Sequence, residues 1–242
     1  MPEVSKRFQD LYKDIYVDGA AREWRDVGAV DKARNVETIW RRAHFSGRPR
    51  VVEFGCGEGA VAAALATRGF FSTYLGLELS RSGVEEATRR NIPGARFLEI
   101  ATDEAALPPD SGDLAVLSHV VEHLEHPRAL IYDAMRVAPW VVVEVPLELN
   151  ARMPRDYVWD DLGHINKYTR TSIRQLLQTC DLDVVAQMTT NPSRDLFLFH
   201  QDTWQRRLEW RVKDAALRIA PGAARAALTY HETLLARRKT AG

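Results

Sequence analysis

Val51-Val52-Glu53-Phe54-Gly55-Cys56-Gly57-Glu58-Gly59 reads as a buried strand that runs into a glycine-rich turn and opens a helix. Glycines let backbone N–H groups approach a ligand closely, and the helix N-terminus behind them adds favourable positive potential. Gly55-x-Gly57-x-x-Ala60 also satisfies the dinucleotide fingerprint, so the loop alone does not separate one adenosyl cofactor from another. Glu78, nineteen residues after Gly59 at the end of the next apolar run, is placed to accept both hydroxyls of an adenosine ribose. Glu53 bears on the choice. A carboxylate beside the turn repels a pyrophosphate and suits a cationic aminoacyl sulfonium end.

Outward from this loop, short apolar runs at 51–54, 73–79, 95–100, 114–118 and 140–145 alternate with helical stretches. That alternation predicts βαβ units and a parallel sheet. The alanine-built helix 59–68 ends at Gly69 and suits close packing on the sheet. A further helix is expected at 171–179. Runs 182–188 and 195–200, with Asn191-Pro192-Ser193 between them, read as a terminal antiparallel hairpin. Upstream, residues 1–46 are rich in charge and aromatics, with helices expected at 5–16 and 31–44, and read as a helical cap. Downstream, 203–242 reads as a helical extension of two helices broken at Pro221-Gly222. The expected organisation is a cap at 1–46, a cofactor-binding domain at 47–202 and the extension at 203–242.

Composition narrows the function classes. The 242 residues are 45% apolar and 27% charged, as a packed globular chain requires. Thirty-three basic and thirty-three acidic residues balance, so no global field favours nucleic acid. The balance is uneven: 203–242 carries +6 and the preceding chain −6, which suits contact with anionic lipid, a partner or solvent alone. Two cysteines, Cys56 and Cys180, have no disulfide or metal-finger spacing, and neither a leader nor a membrane-spanning run is evident. A reducing cytoplasm is the expected setting.

Four motifs in order resemble the class I S-adenosylmethionine-dependent methyltransferases, in the small-molecule branch that includes type 11 and ubiquinone-biosynthesis-like enzymes. Glu53-Phe54-Gly55-Cys56-Gly57-Glu58-Gly59 resembles that family's first motif, and Leu77-Glu78-Leu79-Ser80 its acidic end of the second strand. Thr102-Asp103-Glu104-Ala105-Ala106-Leu107-Pro108, followed by Asp110-Ser111-Gly112-Asp113-Leu114, resembles its adenine-contacting segment and the entry to strand four, although Thr102 stands where the family often has glycine. Ser118-His119-Val120-Val121-Glu122-His123-Leu124 resembles the loop that faces the methyl group. The resemblance covers about 51–199. It implies a doubly wound α/β fold, a seven-stranded sheet of order 3-2-1-4-5-7-6 with strand seven antiparallel, and S-adenosylmethionine held by Glu53, Gly55, Cys56, Gly57, Gly59, Glu78, Leu79, Asp103, Glu104 and Ser118.

Three of the seven histidines lie within eight residues. His119, Glu122, His123 and His126 fall at i, i+3, i+4 and i+7, so a helical turn would show them on one face while Val120, Val121 and Leu124 turn inward. One reading braces the loop with Glu122 and His123 and caps the helix at Pro127 with His126. Another makes His119 or His123 a general base. A third is a divalent cation such as magnesium, because His119-x-x-Glu122-His123 with a distant His164 is similar to the metal pattern of a terminal-ribose RNA methyltransferase family; this is not the favoured reading, and no metal ligand is assigned. Gly163-His164-Ile165-Asn166-Lys167-Tyr168-Thr169 resembles a segment bordering the acceptor pocket in the small-molecule branch, which makes His164 a third candidate base. Residues 153–161, with Tyr157, Trp159, Asp160 and Asp161, are candidates to wall that pocket. Tyr12, Tyr16, Trp24 and Arg25 are read either as a lid over the donor or as core packing.

The expected function is methyl transfer to a small-molecule acceptor, foremost a hydroxyl on a metabolite, lipid or sugar, with N-methylation of an amine as the rival within the class. Other classes held open are an NAD-dependent oxidoreductase and a catalytically silent binding module. No nucleic-acid partner is expected, and peripheral membrane contact through 203–242 is an open alternative. The acceptor and the oligomeric state are not read from the sequence.

Overall fold

The computed structural model describes residues 16, 21–43, 47–100, 107–156 and 163–239. In chain order the elements are α1 (Arg22–Arg42), β1 (Arg50–Phe54), α2 (Ala60–Thr67), β2 (Thr73–Glu78), α3 (Arg81–Arg89), β3 (Ala95–Glu99) and β4 (Leu114–Ser118). A 3-10 turn (Val121–His123) follows, then α4 (Pro127–Val137), β5 (Trp140–Pro146), α5 (Arg170–Gln178), β6 (Leu182–Thr190), α6 (Arg194–Leu198), α7 (Trp204–Ile219), α8 (Pro221–Ala227) and β7 (His231–Arg238).

The seven strands form one sheet in the order β3-β2-β1-β4-β5-β7-β6. Pairs among β1 to β5 are parallel, and β7 runs antiparallel between β5 and β6. The sheet is covered on both faces, so its central strands are near-continuous apolar runs, and all five residues of β4 are buried. Val52, Phe54, Leu117 and Val143 pack against α4 and α5 through Ile131, Ala134, Ile173 and Leu177. Val51, Val116, Val142 and Leu235 point the other way, onto α1 and α2.

Local chemistry sets the element ends. Gly59, left-handed at φ 75°, precedes α2, and Gly69, at φ 61°, follows it while Phe70 N–H donates to Leu65 O at 3.1 Å. Ser80 caps α3 by accepting from Gly83 N–H, and Thr169 with Ser172 forms a capping box at α5.

Three sequence expectations need correction. The helix expected at 31–44 begins at Arg22, and Ala29, Ala33, Val36 and Trp40, spaced for one helical face, put α1 in the packed layer on the sheet. The expected helix 5–16 falls outside the described residues except for Tyr16. Run 195–200 is not a hairpin strand: Ser193 accepts from Leu196 N–H and starts α6. The seventh strand lies instead at 231–238, inside the stretch read as a helical extension. His231-Glu232-Thr233-Leu234-Leu235-Ala236 is built of residues compatible with a helix, but Leu234 and Leu235 bury on opposite faces of the sheet, and tertiary packing overrides propensity. Residues 203–242 therefore supply part of the sheet.

Candidate active site

The glycine turn sits at the carboxyl ends of β1 and β2, where open α/β sheets bind ligands. Gly55 and Gly57 have φ of 69° and 53°. A Cβ on Gly55 would lie 2.8 Å from Val120 Cγ2, and one on Gly57 would lie 2.7 Å from the Tyr16 hydroxyl. Neither position accepts a larger residue without displacement of its neighbour. Gly55 and Cys56 N–H both donate to Leu77 O, at 2.8 and 3.0 Å. Glu78 completes the brace: Oε2 accepts from Gly57 N–H at 2.8 Å and Oε1 from Ser80 N–H at 2.9 Å. Burial raises the Glu78 pKa, and the backbone donors oppose that rise.

Helix α1 is tied to this loop. Arg25 holds Glu58 in a bidentate pair, at 2.9 and 3.1 Å, and its guanidinium lies 5.1 Å from the centre of the Tyr16 ring. Arg90 reaches Glu58 from α3, donating through Nε to its backbone oxygen at 2.6 Å. Tyr16 also borders Gly83, so this ring spans the entrance between the glycine turn and α3.

Across the sheet, the ends of β4 and β5 and the start of β7 carry a second polar centre. His119 follows β4 with φ 58°, a left-handed conformation uncommon outside glycine, and its N–H donates to Glu144 O at 2.9 Å. Its ring lies between two buried carboxylates. Nδ1 is 3.4 Å from Glu122 Oε1, and Nε2 is 3.3 Å from Glu144 Oε1. Both carboxylates are 0% exposed. The His231 ring packs edge-on against His119 at 4.8 Å. Burial, reinforced by nearby Lys32 and the other histidines, holds His119 well below the usual imidazole range, and burial foremost takes His231 down to about 3 and Glu122 up to about 7.

Next to this centre, His123 and His164 pack edge-on at 4.8 Å. His123 Nδ1 lies 3.2 Å from Gly163 O, and His164 Nδ1 lies 2.9 Å from Glu148 Oε2. Residues 163–168 are strapped to the loop after β4, because Ile165 and Asn166 N–H both donate to Glu122 O and Asn166 Nδ2 donates to Leu124 O. One fixed patch therefore gathers four imidazoles.

A model of a methyltransferase domain matches residues 22–187, more than half of the chain. The chain belongs to this methyltransferase-domain family. Within the family, the sheet order and the four motifs are those of the class I S-adenosylmethionine-dependent group. The chain is similar to a fatty-acid O-methyltransferase of Mycolicibacterium smegmatis, 42% identical over 81 residues that cover 33% of this chain and 28% of that protein. It is also similar to a ubiquinone biosynthesis O-methyltransferase of Paraburkholderia phymatum, 28% identical over 140 residues that cover 54% of this chain and 55% of that one. The matches thus span about half or less of the length of these curated relatives. Among solved structures, magnesium protoporphyrin IX methyltransferase of Synechocystis with bound S-adenosylhomocysteine superposes with a TM-score of 0.57 at 14% identity, over 95% of this chain and 94% of that one.

Within this methyltransferase domain, most of the residues singled out from sequence fall into three groups. Gly55, Gly57, Gly59, Glu78 and Leu79 line or brace the turn, with Leu79 41% exposed at its rim. His119, His123 and His164 come together with Ser118 at the neighbouring centre. Asp103, Glu104, Tyr157, Trp159, Asp160, Asp161 and Tyr12 lie outside the described residues. Glu53 departs from the expectation that it faces the donor. It is 2% exposed and accepts a hydrogen bond from the Tyr74 hydroxyl, and burial raises it to about 7, so it supports the loop from beneath. Cys56 is a buried filler against Gly76, and burial pushes its thiol well up. The one-face reading of 119–126 also fails: Val121, Glu122, His123 and Leu124 are all buried, and His126 heads α4 with no side-chain cap. Trp24 stacks on His200. Glu144, Glu148 and His231 were missed, because none lies in a recognisable motif.

Proposed function

We propose that the protein is an S-adenosylmethionine-dependent O-methyltransferase acting on a small hydroxylated acceptor, and that His164 removes the acceptor proton. The observation that carries the reading is the His164–Glu148 pair at 2.9 Å, set beside His123 where the loop after β4 meets the segment after β5. The glycine cradle fits the donor, since Cβ atoms at Gly55 and Gly57 would clash and the Glu78 carboxylate stands at the end of β2. Bound S-adenosylmethionine supplies a methyl group already activated by its sulfonium.

What remains for the chain is orientation and proton removal. Holding donor and acceptor in line supplies on the order of 7 to 11 kcal/mol in favourable cases. Glu148 accepts a hydrogen bond from His164 Nδ1–H, which fixes the tautomer whose basic nitrogen is Nε2 and raises its basicity toward a hydroxyl proton. Burial holds the neighbouring His119 imidazole in its neutral form. The O-methyltransferase names of both curated relatives support the acceptor class.

The test is a split between turnover and donor binding. His164→Ala lowers kcat by about 10² to 10⁴ and leaves S-adenosylhomocysteine affinity within about twofold. Unchanged kcat with a lowered Tm makes His164 a structural residue.

Peripheral membrane contact belongs to the same reading. No helix of the described residues is long and apolar enough to cross a membrane. On α7, Trp204, Leu208, Val212 and Ile219 are exposed at spacings of four, four and seven residues, which places them on one face. Arg207, Arg211 and Arg218 run along the edge of that stripe, the pattern of a helix lying in an anionic bilayer surface. Sedimentation with phosphatidylglycerol vesicles is expected to capture the wild-type chain and to lose most of it for Trp204→Ser with Leu208→Ser. Equal capture of both removes the contact.

A further inference from the structure

We infer that His119, Glu144 and His231 form a binding site for one first-row divalent cation of the zinc type. The site draws on three elements: the residue after β4, the body of β5 and the first residue of β7. Its donor atoms lie within 4.8 Å of one another. The closest pair, His119 Nε2 and Glu144 Oε1, are 3.3 Å apart. That matches two ligands held at about 2.1 Å from one tetrahedral ion, which stand roughly 3.4 Å from each other.

Unmet bonding marks the site. His119 Nε2, Glu144 Oε1 and His231 Nδ1 are all buried and have no hydrogen-bond partner, although Glu144 is 0% exposed. Leaving such groups unsatisfied is unfavourable, more so for a charged one, and an ion satisfies all three at once. The surroundings are those of a built ligand set. Thr233 Oγ1 donates to the other Glu144 oxygen at 2.7 Å, which aims Oε1 at His119, and the antiparallel pairing of Glu144 with Thr233 fixes both on the sheet. His119 leaves β4 in a left-handed conformation, and its N–H donates to Glu144 O, which ties its backbone to the same strand residue.

The ligand set differs from the one suggested by the sequence resemblance, with which it shares only His119. Glu122, His123 and His164 also cluster, but His123 and His164 are engaged by Gly163 O and Glu148. Two imidazoles and one carboxylate suit zinc, cobalt or iron better than magnesium, which prefers an all-oxygen shell. Three protein ligands leave a coordination position open, so the ion can collect an acceptor oxygen.

Binding is measured on the full chain, freed of metal by chelation and without methyl donor, so the outcome is independent of the acceptor and of His164 as base. Zn²⁺ is titrated by calorimetry and Co²⁺ by visible absorption. The expected result is one equivalent per chain with a raised Tm. Glu144→Gln and His231→Gln each weaken affinity at least a hundredfold, Thr233→Val weakens it about tenfold, and His123→Gln leaves it within about twofold. Circular dichroism of the metal-free variants confirms that they are folded, and Thr233→Val keeps all three ligands should either ligand variant fail to fold. The inference is overturned by absence of saturable binding to folded wild-type protein. Binding unchanged by loss of Glu144 and His231, or lost only with His123, overturns it equally, the last by moving the ion to the neighbouring cluster.

Discussion

The two halves of the crevice are built on opposite plans. The glycine turn uses residues close in sequence, Gly55 to Glu78, and its polar groups are largely paired: Glu78 accepts two backbone donors, and Glu58 is held by Arg25 and Arg90. The histidine centre joins residues from 118 to 231 and leaves buried atoms of Ser118, His119, Glu122, Glu144 and His231 without hydrogen bonds. Only the glycine turn is complete by itself. A closed network of backbone bonds is shaped in advance for a cofactor, whereas buried polar groups without partners mark a place that gains stability when something enters it.

The sharpest way to break this contrast is at Glu78. If its carboxylate both braces the turn and receives the donor ribose, Glu78→Ala removes two charge-assisted bonds and the ribose contact together. Each such bond is worth about 1.5 to 3 kcal/mol, so S-adenosylhomocysteine affinity measured by calorimetry is expected to fall about 10- to 100-fold or more. Glu78→Gln keeps acceptor oxygen for one brace and is expected to lose less. A variant that melts at lower temperature yet binds the donor as wild type would make Glu78 a structural brace alone.

The same contrast explains what the sequence revealed. The parallel sheet and the glycine turn were legible because each depends on local signals: the alternation of apolar runs with helical stretches, the glycines 55, 57 and 59 after the β-branched run 51–52, and the spacing to Glu78; the strand order followed only from the family resemblance. The catalytic candidates His119 and His123 were legible as a local concentration of imidazoles, and His164 through the resemblance of 163–169 to a segment bordering the acceptor pocket. Glu144 and Glu148 were not, because a carboxylate at the end of an apolar strand has no periodic signature. His231 was out of reach for a topological reason. It lies 112 positions after His119, in a stretch of helix-compatible residues, and meets it only because β7 inserts between β5 and β6. The register of Pro146 with His231 is a property of the assembled sheet.

A smaller effect, in the completed half, sharpens the comparison further. Glu53 is the buried carboxyl beneath the turn, hydrogen-bonded by Tyr74 and raised by burial from 4.5 to about 7. Its folded form therefore holds a proton more tightly than the unfolded chain does. The sign follows: the contribution is fully present below pH 4.5 and is lost as pH rises through 7. The full difference is roughly 3 kcal/mol, or about 6 to 12 °C in Tm for a domain of this size. Other buried groups titrate in the same range, with Glu122 acting in the same direction and His119 and His231 in the opposite one, so the wild-type profile alone does not isolate Glu53. The difference between wild type and Glu53→Gln does. Scanning calorimetry at pH 5 and pH 8 is expected to show a smaller alkaline loss of Tm in the variant, because glutamine keeps an acceptor for the Tyr74 hydroxyl and carries no charge to bury. Parallel profiles would mean that Glu53 is ionised in the folded protein at neutral pH. A negative charge would then lie directly beneath the donor turn, and electrostatic attraction to the sulfonium end of the donor would return as its role.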